Sequence, residues 1–401
     1  MNVNRTIKSL PARLLVHLSL GVLLLACTVP GAAPKTPATS LPTAEIFQPS
    51  ATSPAAQSTP TNAPGSLIDP DLTDFDFITS QNGWGVTKDA LVYTADGGKS
   101  WTPLTIKGVD SFEESVTYFL NANSAWVLLP NPDRLSGKLY HTSDKGNTWA
   151  AYDFPYPTWQ MQFFDAQFGI IIAPLDAGAG SMAVAVAYTV DAGETWKEVY
   201  VNDPNREGAS DTLPLSGMKT GMTFSTPANG WVTGTKPQDG FVYLYRTENG
   251  GVSWQHQNLP LPEGMQNAQV ILERPQFFNA NEGVLPVTFF QVNNESVGNF
   301  YKTTDGGQTW KLTSNTDVTN HAYWFDLTHG WNWDGTQLHR TTDGGMTWQT
   351  LEMGFPETSI QVKLDFVTAE QGWALVREDE TTPAKLYFTL NGGKNWGPIV
   401  P

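Results

Sequence analysis

One cysteine, Cys27, occurs in 401 residues, so no intramolecular disulfide can brace this chain. Positive charge is scarce as well: 23 Lys and Arg stand against 39 Asp and Glu, a net charge of −16. Residues 1 to 26 carry three of those positive charges (Arg5, Lys8, Arg13) and no acid, so the remainder stands at −19. Such an acidic surface repels nucleic acid and anionic headgroups, and no nucleic-acid partner is expected. The six histidines show no metal-ligand spacing. Gly-x-Ser-x-Gly, a phosphate loop and a dinucleotide fingerprint are all missing, so neither metal nor cofactor is expected. There is no helix-period segment of useful length, and the one marked apolar run, Leu14 to Ala26, is too short to span a bilayer by preference.

What is there begins with that run. A basic stretch followed by a short apolar one reads as a secretory signal over residues 1–26. Leu24-Leu25-Ala26-Cys27 resembles a bacterial lipobox, which makes Cys27 the expected lipid-attachment residue; the alternative is a plain signal peptide with an incidental cysteine. Residues 27–66 are rich in Pro, Ala, Thr and Ser, with Lys35 and Glu45 the only charges, and cannot bury enough apolar surface to offset the entropy of ordering. They read as a tether reaching roughly 35 Å as a coil. The expected place is extracytoplasmic, on a membrane through the lipid, at a cell surface or in a periplasm.

Residues 67–401 are organised by one phrase, clearest at Tyr301-Lys302-Thr303-Thr304-Asp305-Gly306-Gly307-Gln308-Thr309-Trp310. Its carboxylate or amide recurs as Asp96, Asp144, Asp191, Asn249, Asp305, Asp343 and Asn391, and its tryptophan as Trp101, Trp149, Trp196, Trp254, Trp310, Trp348 and Trp396. The chemistry is that of a tight hairpin. The short acid or amide is expected to accept N–H groups two residues on, the glycine two places later to take a left-handed backbone, and the Trp to open a strand and bury its ring. One such group per repeat is structural, with no catalytic role assigned. A second element recurs beside it, an aromatic, a turn, then Gly-Trp: Phe77 with Gly83-Trp84, Phe119 with Ala125-Trp126, Phe224 with Gly230-Trp231, Phe325 with Gly330-Trp331, and Phe366 with Gly372-Trp373. Weaker copies are Phe163-Phe164 with Gly169-Ile170 and Phe277-Phe278 with Gly283-Val284. A period of roughly 38 to 58 residues suits four-stranded propeller blades.

The first phrase resembles the Asp-box, or BNR repeat, of sialidase-type propellers. Its pairing with Gly-Trp is similar to the photosystem II stability and assembly factor family, which implies a seven-bladed propeller. The expected fold is therefore all-β: seven blades of four antiparallel strands, near residues 70–108, 113–155, 159–202, 217–258, 269–314, 320–353 and 361–401. In that topology the Gly-Trp turns and Asp-boxes share one uniform face, and every loop of variable length falls on the other. Variable loops on a rigid frame are the usual place for binding, and the candidates there are Arg134, Tyr156, Trp159, Arg206, Trp333 and Arg377.

The family resemblance implies docking of a membrane-protein partner through a basic patch. Six arginines remain in the propeller; Arg246 and Arg340 sit in box phrases, which leaves four for such a face. An Asp-box sialidase would need three arginines converging on a carboxylate, the first in a Phe-Arg-Ile-Pro phrase; none exists, and Glu273-Arg274-Pro275 is a poor match. The expected function is non-catalytic binding or assembly on a membrane or cell-surface protein. The alternative is a carbohydrate-active Asp-box enzyme, sialidase-like or another glycoside hydrolase.

Overall fold

A computed structural model of the chain describes residues 65–157, 160–291, 295–316, 322–356 and 359–399. Cys27, the signal segment, the tether up to residue 64 and Trp159 lie outside the described residues. Apart from the two 3-10 turns Pro204–Arg206 and Met265–Asn267, the regular elements are β-strands. Each repeat runs as a meander. In the first, Leu72–Phe77, Gly83–Thr87, Leu91–Thr94 and Thr102–Leu104 pair antiparallel in sequence order. Five such four-stranded sheets are present among the described residues. The fourth and fifth repeats fuse into a nine-stranded sheet through a single pairing, Thr235↔Ile271. The ninth strand arises because the innermost strand of the fifth repeat is broken into Gln269–Leu272 and Gln276–Phe277. Pro275, which has no N–H to give to a ladder, stands at the break.

Both recurring phrases form turns, and the two turns of each repeat are tied together. The N–H of the residue after each box acid donates to a carbonyl of the Gly-Trp turn: Gly97 to Gln81, Lys145 to Asn123, Ala192 to Gln167, Gly250 to Ala228, Gly306 to Asn281, Gly344 to Thr328 and Gly392 to Glu370, all at 2.8–3.0 Å. The two turns therefore share one face, as the sequence implies.

Inside the box the bonding differs from the expected two-residue reach. Asp305 Oδ1 accepts from the N–H of Thr309, four residues on (2.9 Å), and from Thr303 Oγ1 (2.8 Å), while Oδ2 takes the Thr309 hydroxyl at 2.6 Å. The N–H two residues on, that of Gly307, goes instead to Thr303 Oγ1 at 2.8 Å. The Thr two places before the acid is thus as much a part of the turn as the acid. Gly307 has φ +74°, and a side chain there would collide with Trp231 of the preceding repeat. Asn249 and Asn391 accept the same backbone bonds, from Ser253 and Asn395.

Sheet-to-sheet packing is made by the Gly-Trp tryptophans. Trp84, Trp126, Trp231, Trp331 and Trp373 are fully buried. Each stacks on the aromatic of the following repeat rather than its own: Trp126 on Phe163 at 3.8 Å, Trp331 on Phe366 at 3.6 Å, and Trp373 on Phe77 at 3.7 Å. The last pair joins the final repeat to the first, and Trp373 Nε1 also donates to Gly97 O at 3.1 Å, so the ring closes through these contacts. Leu67 forms an isolated antiparallel bridge with Trp101 of the first repeat. The glycine of Gly-Trp has a steric reason: a Cβ on Gly83 would lie 2.8 Å from the Phe77 ring. In the sixth repeat the aromatic that pairs with Gly330 is Trp324; Phe325, the residue expected there, is one place further, in the turn. Box tryptophans pack less uniformly. Trp101, Trp254, Trp310 and Trp396 are buried, whereas Trp149, Trp196 and Trp348 are half-buried.

Candidate functional site

The innermost strands of six repeats enclose a channel of about 610 Å³. In register, the residue facing the strand-B Trp (or its Ile or Val counterpart) is Asp76, Tyr118, Gln162, Thr223, Gln276, Tyr323 and Asp365 in successive repeats. Five of these reach across to the backbone of the next inner strand. Tyr118 donates to Phe163 O (2.7 Å), Gln162 exchanges two bonds with Phe224, Gln276 bonds Trp324 N and Ala322 O, and Tyr323 bonds Phe366 N and O. Asp365 accepts from Phe77 N at 2.5 Å. One layer nearer the loop face, Gln160 clasps Met222, and Lys363 Nζ lies on Asp74 Oδ1 and Phe75 O. A hydroxyl or amide can both donate to a carbonyl and accept an N–H, which suits these junctions. Thr223 makes no such bond, and Asp76, an acceptor only when ionised, makes none among the described residues.

Asp76 therefore stands as an unclasped carboxyl on the channel wall. Burial pushes its pKa up to about 7, with the neighbouring Asp365 adding to the rise, Lys363 opposing it and Asp74 adding again. Asp365 is raised too, its burial outweighing the Phe77 N–H and Lys363. Across the wall is Arg274, which has no hydrogen bond or ion pair among the described residues and is exposed. Of the six propeller arginines it alone is unpaired among those residues. Arg246 pairs with Glu248 at 3.0 Å; Arg340 is buried over Trp331 and bonds Glu370 and Ala369 O.

The loop-face candidates are engaged locally. Arg134 is ion-paired with Glu114, Arg206 with Asp211 at 2.5 Å, and Arg377 with Asp71 at 3.1 Å while donating to Thr382 O. Tyr156 and Trp333 are half-buried, against Phe154 and Phe355 respectively. No direct bond joins any two of these five. The loop bearing Arg206 does more than cover a face: Leu213 is buried between the third and fourth repeats, and Asp211 O accepts from Trp254 N at 2.9 Å. By contrast, box acids are all committed to their turns. Asp343, bonded by the Thr347 hydroxyl and N–H, is held down at about 2. In Asp96 and Asp144 partial burial works the other way, but the bonds from Ser100 and Thr148 outweigh it and the net shift is downward. Asp76 and Asp365 escape a motif search because they lie outside the recurring phrases; their signal is a carboxylate immediately before the aromatic, at a position other repeats fill with Gln, Tyr or Thr.

Residues 301–312 match the BNR/Asp-box repeat family. Among solved structures, YCF48 bound to a D1 peptide is 18% identical and superposes over 84% of this chain and 99% of that one, with a TM-score of 0.52. The fold is that of an Asp-box β-propeller. A GH74 xyloglucanase from Xanthomonas campestris shares it at 13% identity (84% of this chain, 56% of that one, TM-score 0.51). So does an oligogalacturonate lyase from Vibrio parahaemolyticus at 10% identity (82% and 92%, TM-score 0.51). No curated protein matches the sequence. The propeller is like that of a photosystem II assembly factor, and equally like that of carbohydrate-cleaving enzymes, so the likeness fixes architecture and leaves chemistry to the site.

Proposed function

We propose that this chain is a non-catalytic binding or assembly propeller, with seven blades, the nine-stranded sheet counting as two. It sits outside the cytoplasm on a lipid-modified Cys27 and takes a segment of a membrane or cell-surface protein on its loop face, around the channel mouth. One observation carries the non-catalytic reading: of the channel's carboxyls, all but one are committed to contacts between neighbouring repeats. Asp74 is taken by Lys363 and Asp365 by Phe77 N, which leaves Asp76 as the wall's one uncommitted carboxyl among the described residues. Cleaving a glycosidic bond by the common route needs two. YCF48, solved with a D1 peptide, shows that a propeller of this fold can hold a peptide.

A second reading, carbohydrate cleavage, is favoured by Asp76 itself, whose pKa near 7 would suit a proton donor. The two separate in one comparison. Replacing Arg206 and Trp159 together by alanine should abolish co-purification of a membrane-protein partner with the melting temperature nearly unchanged. Turnover of a sialoside, glucan or uronate by the purified propeller, lost in Asp76→Asn, would sink the binding reading. For the anchor, Cys27→Ser should move the protein to the soluble fraction; an unmodified mature N-terminus elsewhere, by intact mass, contradicts it. One acyl chain binds only marginally, so two or more are expected on Cys27.

A further inference from the structure

Two groups of opposite charge line the same channel with no hydrogen bond or ion pair among the described residues: Arg274 and Asp76. Resting on the binding reading above, we infer that the channel seats a dipolar peptide segment, one that presents a carboxylate to Arg274 and an ammonium or guanidinium to Asp76.

The wall is built for both ends. Arg274 leaves the inner strand at the break before Pro275, and the facing position in the fourth repeat is Gly221, where a Cβ would come within 3.0 Å of the Arg274 Cβ. The guanidinium is thereby free to take a carboxylate in its two-pronged geometry. On the other side, the equivalent of Asp76 is a backbone clasp in five repeats; Thr223 and Asp76 occupy the two unclasped positions, and of these only Asp76 brings a carboxyl to the channel. How the wall holds an ammonium is visible next door, where Lys363 Nζ rests on Asp74 and Phe75 O. Both residues line the same channel, and Tyr118, also on its wall, feels the charge of each. A volume of about 610 Å³ falls in the ~300–1,000 Å³ range of ligand sites.

Proton release supplies a signature. The groups bearing on Asp76 are Asp74 on its own strand, Asp365 and Lys363 from the last repeat, Tyr323 from the sixth, and Tyr118 and Arg274 across the channel. Burial, with Asp365 and Asp74 adding to it against Lys363, holds Asp76 partly protonated near neutrality, and a bound cation favours its ionised form. Binding of the cationic arm therefore expels a proton, and affinity for it rises between pH 6 and 8.

The test uses the full chain and three acetylated, amidated hexapeptides: alternating Lys-Glu, Lys-Gln and Glu-Gln. Titration calorimetry should show Lys-Glu binding tightest, by about tenfold over either other peptide, the scale of one charge-assisted bond. Asp76→Asn should erase the Lys preference and the proton release without lowering the melting temperature at pH 8, and Arg274→Gln should erase the Glu preference with the melting temperature unchanged. Equal binding of the three peptides, binding of Lys-Glu that neither substitution alters, or no binding while partner co-purification persists would each overturn the dipolar seat and leave the binding reading standing. Glycan turnover would instead bring down that reading.

Discussion

Asp76→Asn tests the electrostatics of the channel directly. In the folded chain the Asp76 carboxyl titrates at about 7, against an ordinary value of 3.8, because it is surrounded by protein and faces Asp365. Between those two values the folded state binds more protons than the unfolded chain. The contribution of this group is thus fully present below pH 3.8 and is lost as pH rises through 7. At about 1.4 kcal/mol per unit, the loss amounts to up to about 4 kcal/mol. His141 works in the opposite direction over an overlapping range. Stacked on Trp126 at 4.4 Å, it is pushed down to about 4 from 6.5 by burial, so its contribution disappears as pH falls through that window. The two slopes largely cancel between pH 4 and 6.5 in the native protein, and a single stability curve would hide both. The difference curve does not hide them. Urea unfolding of native and Asp76→Asn protein at pH 4, 6 and 8 should show the variant gaining relative stability with pH, by up to about 4 kcal/mol at pH 8. An unchanged difference across that range would refute the burial and carboxylate-pair account of Asp76.

Asp365→Asn keeps an acceptor for Phe77 N while removing a negative neighbour, so carboxyl NMR titration should find Asp76 lower than in the native chain. Trp373→Ala, at the closing contact with Phe77 and Gly97, should cost about 3 to 5 kcal/mol in chemical unfolding, and more than Trp149→Ala, whose ring is only half-buried. Asp305→Ala should destabilise by about 1 to 3 kcal/mol, since the Thr309 N–H and two threonine hydroxyls lose their acceptor. Asp305→Asn should cost much less, because Asn249 and Asn391 do the same work elsewhere; equal losses in the two variants would show that charge, rather than acceptor geometry, holds the turn.

The repeats, the all-β class and the shared face of the two turns were legible in the sequence because they depend on local rules. Gly193 and Gly307 take positive φ in turns that recur with the same residues. The inner strands are half-buried, as in Leu72–Phe77, whereas the strands that follow Gly-Trp, such as Gly230–Thr235, are buried nearly throughout. Even so, the box acid reaches four residues on instead of two, a difference of ring size within the turn that residue type alone leaves open.

What the sequence could not determine involves pairs of residues far apart along it. That Trp373 stacks on Phe77, nearly 300 positions earlier, follows from the ring closing, and each Gly-Trp serves the next repeat's aromatic for the same reason. The loop arginines read as a free basic set; Asp71, Glu114 and Asp211, brought beside them in space, neutralise three. The site was hidden for a related cause. Asp76, Gln162 and Tyr323 occupy one register position, yet only tertiary contact decides which polar group finds a backbone partner and which is left facing the channel. Sequence fixes the chemistry each side chain carries; enclosure by the neighbouring inner strands raises the Asp76 carboxyl toward neutrality and sets Arg274 across from it.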